Sequence, residues 1–165
     1  MLEKYRAKTF IWLPMKTKTQ VFLDWIESRT RFTNQLAEIS EADLNKKLLP
    51  AQNSVGFLIR HMGEVELLFT KNVFGDNTVK VTARTVIEKR DTGEWTNLEE
   101  LKEYVDYSFR SLHSIIEKQN DEDWETSIST KEFGTKTKAE AFGRIVSHTA
   151  YHAGQMALIN KYGTN

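Results

Sequence analysis

Four stretches of this chain repeat their apolar residues with a helical period, and each is about 20 residues long. The first runs from about Thr19 to Ile39, with a stripe of Phe22, Trp25, Ile26, Phe32, Leu36 and Ile39. The second runs from about Ser54 to Phe74, with Phe57, Leu58, His61, Val65, Leu68 and Phe69 on one side. The third carries Leu98, Leu101, Val105, Phe109, Leu112 and Ile116. The fourth carries Ala141, Ile145, His148, His152, Met156 and Ile159. A helix with one apolar stripe must bury it against another element, and four such stripes can bury one another. The pattern therefore predicts an all-α protein, a four-helix bundle.

Local signals mark the ends of these helices. Asn53 or Ser54 can cap the second, and Gly75 is placed to stop it. The third opens at Thr96 or Asn97, with Glu99 or Glu100 three residues on, and the fourth at Thr137 with Glu140. Both have the spacing of a capping box, in which each side chain bonds the other's backbone N–H. Gly163 lies just past the last helix, and Ser40 and Pro50 bracket the first connection. The connections from Gly75 to Trp95 and from Asp121 to Lys136 are unusually long. Loops of that length in a compact domain are often functional. They also permit a bundle with long crossovers rather than a simple up-and-down order. Val79–Val81 and Ile128–Phe133 are candidates for short strands.

At 165 residues the chain is expected to form one domain over 1–165, long enough for a real core. Lys+Arg and Asp+Glu are both 23, so there is no excess of cations to neutralise phosphates, and no nucleic acid is expected as a partner. There is no cysteine, which excludes disulfides, thiolate ligands and a cysteine nucleophile. The apolar run Phe10–Leu13, ended by Pro14, is too short for a signal or a membrane span. The expectation is a cytoplasmic protein with no membrane partner.

Two of the four histidines, His148 and His152, stand four residues apart. Helical neighbours at that spacing have Cβ atoms about 5–6 Å apart, so their rings can share one ion. His61 lies on the inward stripe of another helix. Three neutral imidazoles with one vacant position make an open, catalytic-type site, and nitrogen donors suit zinc, nickel, iron or copper. The glutamate of the H-E-x-x-H metalloprotease motif is absent, Thr149 standing in its place. The bland alternative is a set of buried histidines bonded to backbone or carboxylates. His113, at the edge of its stripe, is not expected to ligate. Glu64, one turn after His61, is a candidate to orient an imidazole, to act as a base or to be a fourth ligand; otherwise it pairs with a lysine or arginine. Tyr151 and Gln155 flank the pair and are candidates to line the pocket, Tyr151 as a catalytic residue. Gly63 and Gly154 each follow a histidine by two, which suggests close backbone approach or room for a ligand.

The stretch from Asn53 to His61, followed by His148-Thr149-Ala150-Tyr151-His152-Ala153-Gly154-Gln155, resembles the DinB/YfiT-like superfamily. The resemblance spans the chain from the first helix to Gln155. It implies a four-helix bundle with a long crossover and a divalent metal site on His61, His148 and His152. The better-understood relatives are thiol-dependent transferases, using bacillithiol or mycothiol, and a thiol-dependent isomerase. The resemblance therefore implies a metalloenzyme that activates a low-molecular-weight thiol towards an electrophilic small-molecule substrate, with zinc or nickel the foremost metals. The rivals are a hydrolase using water at the same position, and a non-catalytic metal-binding stress-response protein. With the apolar run Phe10–Leu13, the resemblance also leads to the expectation of a homodimer. Lys80, Arg84, Lys89 and Arg90, in the first long connection, are candidates to receive an anionic thiol or substrate.

Overall fold

The computed structural model describes residues 18–165, with side chains from Val21 onward, so the run Phe10–Leu13 lies outside the described residues. Four long helices form the bundle: α1 (Lys18–Glu38), α2 (Val55–Asn72), α4 (Leu98–Glu117) and α5 (Lys138–Tyr162). A short helix, α3 (Arg84–Glu88), interrupts the first long connection. The second contains an antiparallel hairpin, β1 (Ser127–Thr130) and β2 (Gly134–Thr137), with Ser127 opposite Thr137. The stretch 79–81 is not a strand, whereas 128–130 falls in β1 and Phe133 in the turn that follows it.

The caps fall on predicted residues, but of the two expected capping boxes only that of Thr137 and Glu140 is reciprocal. Ser54 accepts from Phe57 N–H, Asn97 accepts from Glu100 N–H, and Thr137 forms a reciprocal box with Glu140. Each satisfies a donor that a helix start leaves without a partner, worth about 1 kcal/mol. Gly75, just beyond α2, takes a positive φ of 78°, where a side chain would be strained.

Helix α2 packs most extensively against α4, and α1 against α5, while α2 also meets α5. The order around the bundle is thus α1, α5, α2, α4, so chain neighbours α1 and α2 face each other across the diagonal. The diagonal is crossed twice, by the segment between α1 and α2 and by that between α4 and α5. Among the described residues, no helix is long and apolar enough to cross a membrane.

The apolar core falls into two clusters. One holds Phe32, Phe57, Leu58, Met62, Leu101, Ala153 and Met156. The other holds Trp25, Val65, Phe69, Leu112, Trp124, Phe142 and Ile145. Along α2 the division falls between Met62 and Val65, and along α5 between Ile145 and Ala153. His61 and His148 stand at or beside this seam. Within the bundle Arg29 of α1 donates to Glu66 of α2 (2.7 and 3.3 Å), both side chains being buried. Ser108 of α4 donates to the same carboxylate (2.6 Å), and Arg29 also reaches Val105 O. Buried charges persist only when paired and hydrogen-bonded, and this network meets that condition across the diagonal.

Candidate metal centre

His61 of α2 and His148 and His152 of α5 converge. Their ring centroids lie 4.4–5.0 Å apart, and one ligand atom from each lies within 4.8 Å of the others. His148 Nε2 is 3.1 Å from His61 Nε2. The i, i+4 spacing on α5 and the packing of α2 on α5 together bring this about.

Hydrogen bonds on the far side of two rings fix which nitrogen points inward. Glu64 Oε2 accepts from both the backbone N–H and the hydroxyl of Thr85 (2.9 and 2.5 Å), and Glu64 Oε1 accepts from Arg60 Nε (2.9 Å). The single hydroxyl proton of Thr85 is thereby committed to the carboxylate. Thr85 Oγ1 can then only accept from His61 Nδ1–H, at 2.9 Å. That leaves the lone pair of His61 on Nε2. Likewise His152 Nδ1–H donates to Gln155 Oε1 (2.7 Å), leaving its Nε2 lone pair inward. Outer partners of this kind orient imidazole ligands in metal sites. His148 Nδ1 is buried without a partner.

Burial keeps these rings uncharged. Desolvation, then the nearby His152, pulls His61 down to about 4. Desolvation, then His152 and His61, pulls His148 to about 3. His152 is also lowered by burial, against an opposing pull from Gln155. Neutral imidazole is the form that ligates. Two nitrogen lone pairs 3.1 Å apart repel unless a proton or a cation lies between them. Nitrogens about 2.1 Å from a tetrahedral zinc lie about 3.4 Å from one another. The donor set, its tautomers and its spacing fit a divalent ion held by three histidines.

The histidines open onto a cavity of about 880 Å³ between α2 and α5. Val65, Leu68, Phe69 and Phe133 make its apolar wall, and Val86 of α3 adds to it. Tyr151 also lines it; Gln155 Nε2 donates to the Tyr151 hydroxyl at 3.0 Å. Among the described residues its charged side chains are Lys131, Glu132 and Arg144, at the hairpin end.

Residues 24–156 match the DinB superfamily. The chain belongs to that superfamily. A solved structure with the same fold is described as that of a conserved protein from Enterococcus faecalis. It covers 89% of this chain and 96% of its own, at 19% identity and a TM-score of 0.62. No curated protein matches.

In this DinB chain the three histidines named from the sequence are together, and Tyr151 is on the cavity wall. Glu64 is not: it is fully buried behind His61, bonded to Thr85 and Arg60. The plain pairing with an arginine is therefore present, with Arg60, and the same carboxylate is placed to orient the imidazole through Thr85. Lys80, Arg84, Lys89 and Arg90 do not line the cavity. Arg84 instead pairs with Glu88 and Glu94 beside Trp95. Gly63 lets the Tyr104 ring of α4 approach closely, and Gly154 faces open space. His113 packs among Phe22, Trp25 and Phe109, away from the centre. Sequence reasoning missed Thr85, Lys131 and Arg144. Arg144 had a signal, since it lies one turn before His148; Thr85 had none.

Proposed function

We propose that this chain is a metal-dependent enzyme that transfers a low-molecular-weight thiol to an electrophilic small molecule. The observation that supports it is an open cavity beside three neutral imidazoles, two of which, His61 and His152, are held with Nε2 inward by their outer partners. When bound, a divalent ion supplies Lewis acidity, lowering the pKa of a thiol at the open side of the site. His61, His148 and His152 would hold it. Thr85 and Gln155 keep two of the rings in the ligating tautomer, and Glu64 acts as a positioning carboxylate behind Thr85. The absence of cysteine fits a thiol brought from outside. In the transfer the sulfur forms a bond to the electrophilic carbon, and the thiol proton passes to solvent. The leaving group departs with its electron pair and takes a proton. Tyr151 is suited to give that proton: its oxygen accepts from Gln155, so its own O–H is free to point into the cavity.

The test is turnover of an electrophilic bimane dye by zinc- or nickel-loaded protein with a panel of small thiols. Thiol-dependent turnover that is lost in His148→Ala supports the reading. Hydrolysis of esters without any thiol would replace it with a hydrolase. No turnover of either, with metal bound, would leave a metal-binding protein. The expected homodimer is checked by light scattering, where the mass of one 19.2 kDa chain would refute it.

A further inference from the structure

The histidines occupy one end of the cavity, and its other end has a chemistry of its own. Arg144 lies one turn of α5 before His148 and two turns before His152, about 6 and 12 Å along the helix axis. Lys131 and Glu132, in the turn of the β1–β2 hairpin, face the same end. Two cations oppose one carboxylate there, a local net charge of +1. Arg144 is loosely held. Its ion pair with Glu132 is 3.6 Å long, too far for a hydrogen bond, and its guanidinium lies 5.1 Å from the centre of the Phe133 ring. By contrast Arg29, Arg60 and Arg110 each have a carboxylate oxygen within 2.9 Å. On the α2 side the wall is apolar, made by Val65, Leu68 and Phe69, while Ser147 stands between Arg144 and His148 on α5.

We propose that the cavity binds an elongated amphipathic anion, its carboxylate on Arg144 and its apolar body along Val65, Leu68 and Phe69, with its other end at the histidines. This rests on the preceding reading only for what happens at the histidine end. Arg144 supplies a planar fork of donors that matches a carboxylate in two parallel hydrogen bonds. Glu132 competes for that fork, and Lys131 adds a point charge.

Octanoate and octanol serve as probes, since they share an apolar body and differ in the anionic end. Their binding to the full-length chain is measured by calorimetry, both zinc-loaded and after chelator treatment. Octanoate is expected to bind about tenfold more tightly than octanol, as a charge-assisted hydrogen bond implies. That preference should persist without metal, fall to near parity in Arg144→Gln, and grow a few-fold in Glu132→Gln. The opposite signs of the two variants separate recognition from a general loss of folding. Equal binding of the two probes overturns the proposal, as does a preference that survives Arg144→Gln. A preference present only with zinc and removed by His148→Ala would put the carboxylate on the metal, which also overturns it. The metal-free arm reads anion recognition alone, so failure of thiol transfer and failure of this inference are told apart.

Discussion

Thr85→Val removes one oxygen from the chain and keeps its shape, and that oxygen links two elements. Thr85 Oγ1 donates to Glu64 and accepts from His61 Nδ1–H, at 2.5 and 2.9 Å. In the variant Glu64 keeps Arg60 Nε and the Thr85 backbone N–H, so its burial remains compensated. His61 does not keep its partner: Nδ1–H would face a methyl group, and the ring is freed to rotate or to move its proton to Nε2. Loss of an outer partner of a ligating imidazole costs about 10–100-fold in metal affinity, or about 1.4–2.8 kcal/mol. Folding should lose about 1–3 kcal/mol from the unsatisfied donor, which lowers Tm by roughly 2–4 °C per kcal/mol for a chain of this size. The affinity is read by competition with a chromophoric chelator, and the stability by thermal melting in chelator. Thr85→Ser keeps the hydroxyl and should recover most of the affinity. If Thr85→Val binds zinc within twofold of the unaltered chain while His61→Ala loses it, the tautomer argument is wrong.

Glu66→Ala should cost about 3–5 kcal/mol in urea unfolding, because it strands the buried guanidinium of Arg29; a loss below 1 kcal/mol would refute that. In the metal-free chain His61 and His148 are held at about 4 and 3, below the ordinary 6.5, so between about pH 6.5 and 4 the unfolded chain binds more protons. Stability should therefore fall as pH is lowered through that window, and equal urea midpoints at pH 7.5 and 5 would contradict it. Gly154→Ala, with open space at its Cβ, should stabilise by about 0.5–1 kcal/mol, whereas in Gly56→Ala the new Cβ overlaps the Trp95 carbonyl oxygen. That overlap should cost at least about 1–3 kcal/mol, so melting curves should move in opposite directions.

What the sequence made legible was what is local or periodic. The caps at Ser54, Asn97 and Thr137 are short-range pairings, visible without any tertiary information. The histidines were legible because each stands on an apolar stripe, where an imidazole needs a partner. Arg29 falls on the stripe of α1 with Trp25, Phe32 and Leu36, a position that itself calls for a buried partner. Glu66 carried no such signal. α2 is buried on nearly every side, so periodicity cannot separate an inward carboxylate from an outward one. Helix α3 has five residues, too few to show a period, and Thr85 reaches His61 only because the connection folds back over α2. The turn of the hairpin meets the cavity by tertiary packing, which no local pattern encodes.

The division of labour between helices and connections follows from the order α1, α5, α2, α4. Because α2 and α5 are distant in sequence but adjacent in space, the seam between them is built from two rigid helices, and rigid helices hold ligands well. The two long connections each add a segment to that seam. The first lays α3 beside His61, adding Thr85 behind the ring and Val86 to the wall. The second brings the hairpin turn, with Lys131, Glu132 and Phe133, against Arg144. The histidines and their tautomers thus depend on helix packing, while the charge and shape of what enters depend on segments that tolerate change. A replacement of residues 131–133 should accordingly alter which small molecules bind and leave zinc affinity within a fewfold of its starting value. If zinc is lost instead, the hairpin supports the metal centre itself and this separation is mistaken.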